Sequence, residues 1–311
     1  MSMSFMRPKK KLADPKPNQV LVKNFATAID PYDVKYRSGF YGGSDRLPTV
    51  LGSSVAGIVQ EIGSEVTKYS VGDRVVASTH LRSYAEQVLV LEKQLALIPD
   101  NLTFVQAAGV ALGYQTGYQA IIKEIKLKKG QSILIHGGSG AVGFAAIQAA
   151  EKIGAGKIYT TAGTKGKAFL NGFNPAIAVY DYKKEDFTNI NEKIDAILDT
   201  VGGETQDKSL KLLKENGKLR STVGLTDKAK KSPFDTKAIY LDSGSCLTEL
   251  LKDMSQGLTV LKIAKISQFS LKNLRSMHKE FENDHPLGKL ILFLSTNYFF
   301  RLVPKIIPKP V

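Results

Sequence analysis

Gly138, Gly140 and Gly143 stand in the spacing G-x-G-x-x-G, with Ala141 and Val142 between the last two, and this spacing serves to bind a dinucleotide pyrophosphate. One glycine permits a tight turn, one lets the backbone approach the phosphates, and one lets the following helix pack closely on its strand. Amides at the helix N-terminus then face the anion. About 20 residues further on, an NAD site carries an Asp or Glu for the ribose 2'-hydroxyl, whereas a 2'-phosphate needs room and positive charge. Here the chain reads Ala162, Gly163, Thr164, Lys165, Gly166, Lys167, and no carboxylate follows until Asp181. NADPH is therefore the expected cofactor, with Lys165 and Lys167 as candidate phosphate partners; the alternative is that both are solvated lysines at a helix start. The single cysteine, Cys246, and four histidines provide neither an internal disulfide nor a Cys-rich zinc site. His80, His278 and His285 belong to no motif.

The glycines need a strand before them and a helix after them. Residues 131–136 (QSILIH) form a branched apolar run, and 144–154 (FAAIQAAEKIG) suit a helix that stops at Gly154. Further strands are expected at 157–161, 176–180, 194–198, 218–223 and 238–241, with helical patterns such as 206–213 between some of them, which reads as a doubly wound parallel sheet. Residues 18–99 differ, with short strand-like runs at 20–22, 54–59, 74–77 and 87–91 divided by turns, which predicts a mainly β domain. The last part, with helices expected at 247–254 and 271–281, a run at 261–266 and a strand at 288–294, is expected to pack back on that domain. A hydrophobic content of 43% and charged content of 23% exclude a disordered or fibrous chain. The net charge of +14 contains no block of five or six like charges, and it reads as a solubility feature rather than a nucleic-acid footprint. No apolar run is long enough to span a bilayer, the N-terminal segment lacks the apolar stretch of a secretory signal, and a cytoplasmic location is expected.

The segments 48–77 (PTVLGSSVAGIVQEIGSEVTKYSVGDRVVA), 82–90 (RSYAEQVLV), 98–121 (IPDNLTFVQAAGVALGYQTGYQAI), 136–150, 194–205 (IDAILDTVGGET) and 285–292 (HPLGKLIL) together resemble the medium-chain dehydrogenase/reductases, specifically the zinc-free, zeta-crystallin-like quinone-oxidoreductase branch. The resemblance runs from about Pro15 to Leu292. It implies an α/β fold: a GroES-like, mainly β substrate domain formed by residues 1–102 and 246–311, and a doubly wound Rossmann dinucleotide-binding domain over 103–245, with the active site in a cleft between them. It also implies a homodimer and an NADPH-dependent oxidoreductase acting on a small electrophile, either a quinone or the C=C bond of an α,β-unsaturated carbonyl compound.

Carried over by position, the resemblance makes Tyr41 the cleft tyrosine and catalytic candidate. Thr116 comes near the nicotinamide amide, Gly140 and Val142 form the phosphate turn, Gly163, Thr164, Lys167 and Tyr182 surround the 2'-phosphate, and Val223 and Gly224 lie beside the nicotinamide. Zinc-dependent relatives carry a Cys where Asp30 stands and Gly-His-Glu where Gly52-Ser53-Ser54 stands, so no metal is expected. The branch usually has Asn at the position of Asp30, its first hairpin is here reduced to residues 1–11, and residues 295–311 extend past the point where relatives stop, as packing or as a membrane-surface or partner contact. Alternative functions are an enoyl-thioester reductase of the same superfamily and a non-catalytic NADPH- or nucleic-acid-binding protein.

Overall fold

Two stretches of chain, separated by 130 residues of a different architecture, build one β-rich unit: a computed structural model, which describes residues 12–41 and 49–294, divides into Met1–Leu112 with Ser243–Val311, and Gly113–Asp242. The shortened hairpin expected in residues 1–11 and the tail 295–311 lie outside the described residues.

The first stretch contains β1 (Gln19–Ile29), α1 (Pro31–Arg37), β2 (Ser54–Ile62), β3 (Arg74–Ser78), β4 (Gln87–Leu91), β5 (Leu95–Leu97) and α2 (Phe104–Val110). The second unit contains α3 (Gly113–Gln119), β6 (Ser132–His136), α4 (Ala141–Ile153), β7 (Lys157–Ala162), α5 (Thr164–Phe173), β8 (Ala178–Asp181), β9 (Ile194–Asp199), α6 (Gly203–Ser209), β10 (Leu213–Ser221), α7 (Asp227–Lys230) and β11 (Asp235–Ala238). The chain then returns to the first unit with α8 (Leu247–Ser255), β12 (Ile263–Gln268), α9 (Leu271–Asp284) and β13 (Lys289–Phe293).

In the β-rich unit a seven-stranded sheet runs β12-β13-β1-β2-β3-β5, and β4 pairs with the first half of β1. The long β1 organises it. Val20 and Val22 alternate inward to meet Val55, Val59, Val75, Val88 and Val90 in one core. The far end of β1 pairs antiparallel with β13, and Ile29, Leu290 and Leu292 meet Val34 of α1 with Leu274 and Met277 of α9 in a second core. α2 opens with a reciprocal cap: the Gln106 amide donates to Thr103 Oγ1 at 3.1 Å, and the Thr103 amide donates to Gln106 Oε1 at 2.8 Å. This helix packs on β1, β2, β3 and β13, so the units part at 112/113 and 242/243, where the sequence pointed to 102/103 and 245/246.

The second unit is a six-stranded, all-parallel sheet in the order β11-β10-β9-β6-β7-β8. All five residues of β6 are buried, as a strand covered on both faces requires, and burying each of Ile133, Leu134 and Ile135 contributes about 1.5–3 kcal/mol. The order reverses between β6 and β9, and in such sheets the crevice beyond the carboxyl ends at the reversal is where ligands bind. One strand lies elsewhere than expected. The apolar run 238–241 suggested the last strand, but the residues paired with β10 are 235–238. Asp235 and Lys237 put charge on this edge strand, which discourages further pairing.

Candidate cofactor and active site

The loops at the carboxyl ends of β6, β7, β8 and β10 hold most of the candidate residues in one unit. The turn 137–140 follows β6 and leads into α4, whose N-cap is Gly140. Its glycines play unequal parts. A Cβ on Gly138 would lie 2.0 Å from Thr160 Oγ1, and one on Gly143 would lie 2.3 Å from the Gly137 carbonyl, so packing alone demands glycine at both. A Cβ on the exposed Gly140 would meet only that carbonyl, at 3.3 Å. The protein leaves open the one position where a pyrophosphate needs the backbone bare, and the turn therefore fits a dinucleotide. Ala141 and Val142 start α4, where α3 presses on them: a Cβ on Gly113 would lie 2.8 Å from Ala141 Cβ, and one on Gly117 would lie 2.1 Å from the Val142 carbonyl. Gly113 and Gly117 let α3, the helix that carries Thr116, pack closely on the start of α4. Sequence reasoning passed over them, although their four-residue spacing on one helix was a signal.

Beneath the turn, buried polar side chains fix the loops. His136, the last residue of β6, lies between Thr161 Oγ1 at 3.1 Å and Ser209 Oγ at 2.7 Å, and burial pushes its pKa down to about 4, so the ring is neutral. Asp199, at the end of β9, accepts from the amides of Val201 (3.0 Å) and Gly202 (2.8 Å), from Gln206 Nε2 (2.6 Å) and from Ser221 Oγ (2.8 Å). A single carboxylate thus joins the β9 loop, α6 and the end of β10, two residues before Val223. Val223 is 42% exposed, and Gly224 holds φ +96° with open space around its Cα, a conformation that requires glycine.

On the ribose side, Gly163 caps α5, and a Cβ there would stand 3.5 Å from the hydroxyl of the exposed Tyr182. Gly166 meets Ser139 of the turn, 2.4 Å from the Cβ it lacks, which ties this loop to the first. The carboxylates that the sequence places only from Asp181 onward are brought back beside the lysines. Parallel pairing sets Ala162 opposite Asp181, which brings the end of β8 beside the start of α5. Thr164 Oγ1 donates to Asp181 Oδ2 at 2.5 Å, and Lys167 Nζ donates to both Glu185 oxygens at 2.8 and 2.7 Å. These contacts lower both carboxyl pKa values, Asp181 chiefly through Thr164 and Glu185 chiefly through Lys167. Lys165 is exposed and makes no ion pair among the described residues.

Tyr41 belongs to the β-rich unit, just after α1. It is 52% exposed, its ring lies 5.3 Å from Tyr32 and 5.2 Å from Phe40, and partial burial raises the phenol pKa, so it stays protonated at neutral pH. In the same unit Asp30, Asp33, Ser53, Ser54, Tyr84, His278 and Lys289 form a buried network. Lys289 Nζ is ion-paired with Asp30 Oδ1, Ser54 Oγ donates to Asp30 Oδ2 at 2.6 Å, and Ser53 Oγ donates to Asp33 Oδ1 at 2.5 Å. The Tyr84 hydroxyl reaches Asp33 Oδ2 at 3.2 Å and His278 Nε2 at 3.0 Å. Burial, with the Asp30 charge second, raises the Asp33 carboxyl to about 7, and burial lowers His278 to about 3. The charge that Asp30 brings in place of the usual Asn is thus answered by Lys289 inside its own unit.

Residues 16–124 match the family described as "Alcohol dehydrogenase GroES-like domain", and residues 175–292 match "Zinc-binding dehydrogenase". The chain is 30% identical over 298 residues to the quinone oxidoreductase of Homo sapiens, covering 90% of each chain. The chain belongs to the medium-chain dehydrogenase/reductase superfamily, in its quinone-oxidoreductase-like branch. Another member, the chloroplastic NADPH-dependent alkenal/one oxidoreductase of Arabidopsis thaliana, is 32% identical over 289 residues, covering 89% of this chain and 72% of its own. Among solved members, the Escherichia coli quinone oxidoreductase complexed with NADPH superimposes with a TM-score of 0.80 at 28% identity, covering 92% of this chain and 94% of its own. The Coxiella burnetii quinone oxidoreductase gives 0.83 at 30% identity, covering 92% and 93%.

Proposed function

We propose that this chain is an NADPH-dependent oxidoreductase that reduces quinones or the C=C bond of α,β-unsaturated carbonyl compounds without a metal. The observation that carries the reading is the open Gly140 position at the sheet's reversal, with Gly163, Thr164, Lys165 and Lys167 on the adjoining loop; the relatives named for quinone and alkenal reduction support the acceptor class. NADPH supplies the hydride when bound. Gly138 to Gly143 hold its pyrophosphate, Gly163, Thr164, Lys165, Lys167 and Tyr182 its 2'-phosphate, and Thr116, Val223 and Gly224 orient its nicotinamide. Hydride addition leaves negative charge on the acceptor oxygen, and Tyr41, protonated at neutral pH, donates a hydrogen bond there; the enolate or hydroquinone anion takes its proton from water. Metal independence is supported by the side chains at the positions of the zinc ligands, because Asp30 is committed to Lys289 and Ser54, and Ser53 to Asp33. A homodimer and a cytoplasmic location belong to the same proposal; among the described residues no helix is long and apolar enough to cross a membrane.

The test follows NADPH oxidation against quinones, enones and enoyl thioesters, with and without chelator. Turnover of quinones or enones at a rate indifferent to chelator supports the proposal. Turnover restricted to enoyl thioesters, no turnover at all, or loss of activity together with bound zinc would refute it.

A further inference from the structure

The lysine best placed for a 2'-phosphate already carries an anion from the same chain. Lys167 Nζ binds Glu185 through both carboxylate oxygens, at 2.8 and 2.7 Å, and the two side chains are 30% and 42% exposed. Glu185 is held there independently of the lysine, because the Asp181 amide donates to Glu185 Oε2 at 2.6 Å and the Glu185 amide donates back to the Asp181 carbonyl at 2.8 Å. Its carboxylate therefore stays in place whether or not Lys167 is near. A phosphate brought to this lysine meets a fixed negative charge sharing the same ammonium.

We propose that Glu185 competes with the cofactor 2'-phosphate for Lys167 and sets how strongly this chain prefers NADPH to NADH. The inference rests on the assignment of Lys167 to the 2'-phosphate and adds a residue that the assignment does not contain. Partial exposure makes the competition possible. A half-exposed ion pair contributes little and exchanges readily, whereas a charge-assisted contact to phosphate is the stronger bond, so the phosphate wins but at reduced affinity. Lys165, exposed and without an ion pair among the described residues, is available throughout. The phosphate is thus met first by Lys165, and Lys167 joins as its ammonium turns away from the fixed Glu185 carboxylate. A cofactor lacking the 2'-phosphate leaves the Lys167–Glu185 pair intact and is indifferent to it.

Glu185→Gln is the informative change, because glutamine keeps an oxygen to accept from the Asp181 amide and loses only the charge. Titration calorimetry of the whole protein with adenosine 2',5'-bisphosphate and with 5'-AMP isolates the 2'-phosphate from nicotinamide chemistry. The expected result is that Glu185→Gln tightens the bisphosphate by about 2- to 5-fold, leaves 5'-AMP unchanged, and loses this effect when Lys167→Ala is also present. If Lys167→Ala weakens the bisphosphate but Glu185→Gln changes nothing, the phosphate assignment stands and the competition is overturned. If Glu185→Gln weakens it, Glu185 instead positions Lys167, and the proposal is likewise overturned. If neither substitution moves the bisphosphate, the assignment of Lys167 fails, and the competition with it.

Discussion

Each unit contains a lysine–carboxylate pair, and the two pairs differ in exposure. Lys289 and Asp30 in the β-rich unit are 5% and 0% exposed; Lys167 and Glu185 in the nucleotide unit are 30% and 42% exposed. A buried pair cannot separate, because each partner alone would be an uncompensated charge in a low-dielectric interior, whereas an exposed pair is screened by water and exchanges with whatever anion arrives. The first is scaffold, and the second is, on the proposal above, a binding surface, although the contacting groups are the same.

Breaking the buried pair gives the largest expected effect. Lys289→Met leaves Asp30 buried without its cation and should lower stability by about 3–5 kcal/mol in denaturant unfolding, while Lys289→Met with Asp30→Asn should recover more than half of that loss. An equal loss in the single and double variants would mean that the two side chains act independently. The exposed pair should behave oppositely: Lys167→Ala is expected to change the unfolding midpoint little and to raise the NADPH Kd by about 3- to 10-fold, less than an uncontested phosphate contact contributes, since Glu185 already occupies the lysine. Removal of the Tyr41 hydroxyl in Tyr41→Phe should reduce kcat/KM by about 3- to 30-fold, less than a fully enclosed oxyanion donor because the phenol is half exposed, with NADPH affinity unchanged. Full retention of kcat/KM on every accepted electrophile would leave Tyr41 as wall only.

A further effect, seen only as a pH dependence, concerns Asp33. Its carboxyl is raised from 3.8 to about 7, so its protonated form favours the folded state; this contribution is complete below about pH 4 and is lost as pH rises through 7. Asp33→Asn removes the dependence. Relative to the parent, the variant should therefore gain stability as pH rises from 4 to 8, read as the difference between the two pH–stability curves. Parallel curves would show that Asp33 is ionised throughout.

The sequence made the glycine turn legible because its signal is local: the strand, Gly138, Gly140, Gly143 and the helix are contiguous, and the element boundaries follow from residue types. Helix 247–255 and strand 87–91 were legible for the same reason. The last strand of the nucleotide sheet was not, since an edge strand is decided by which backbone pairs, and the paired residues 235–238 carry the charge while the apolar run lies just beyond them. The partner of Lys167 lies 18 residues away on a different strand's turn and that of Asp30 lies 259 residues away, so neither leaves a pattern in the linear chain. The roles of His136 and Asp199 were hidden likewise, because a polar residue at the end of a buried strand gains its meaning only from the loops it joins.

The most direct test of the central assignment is the ratio of kcat/KM for NADPH and NADH with one accepted quinone or enone. A preference for NADPH of about tenfold or more is expected, carried mainly by KM, since one charge-assisted phosphate contact contributes about 1.5–3 kcal/mol. Equal KM values for the two cofactors would contradict the reading of Thr164, Lys165 and Lys167 as a 2'-phosphate site.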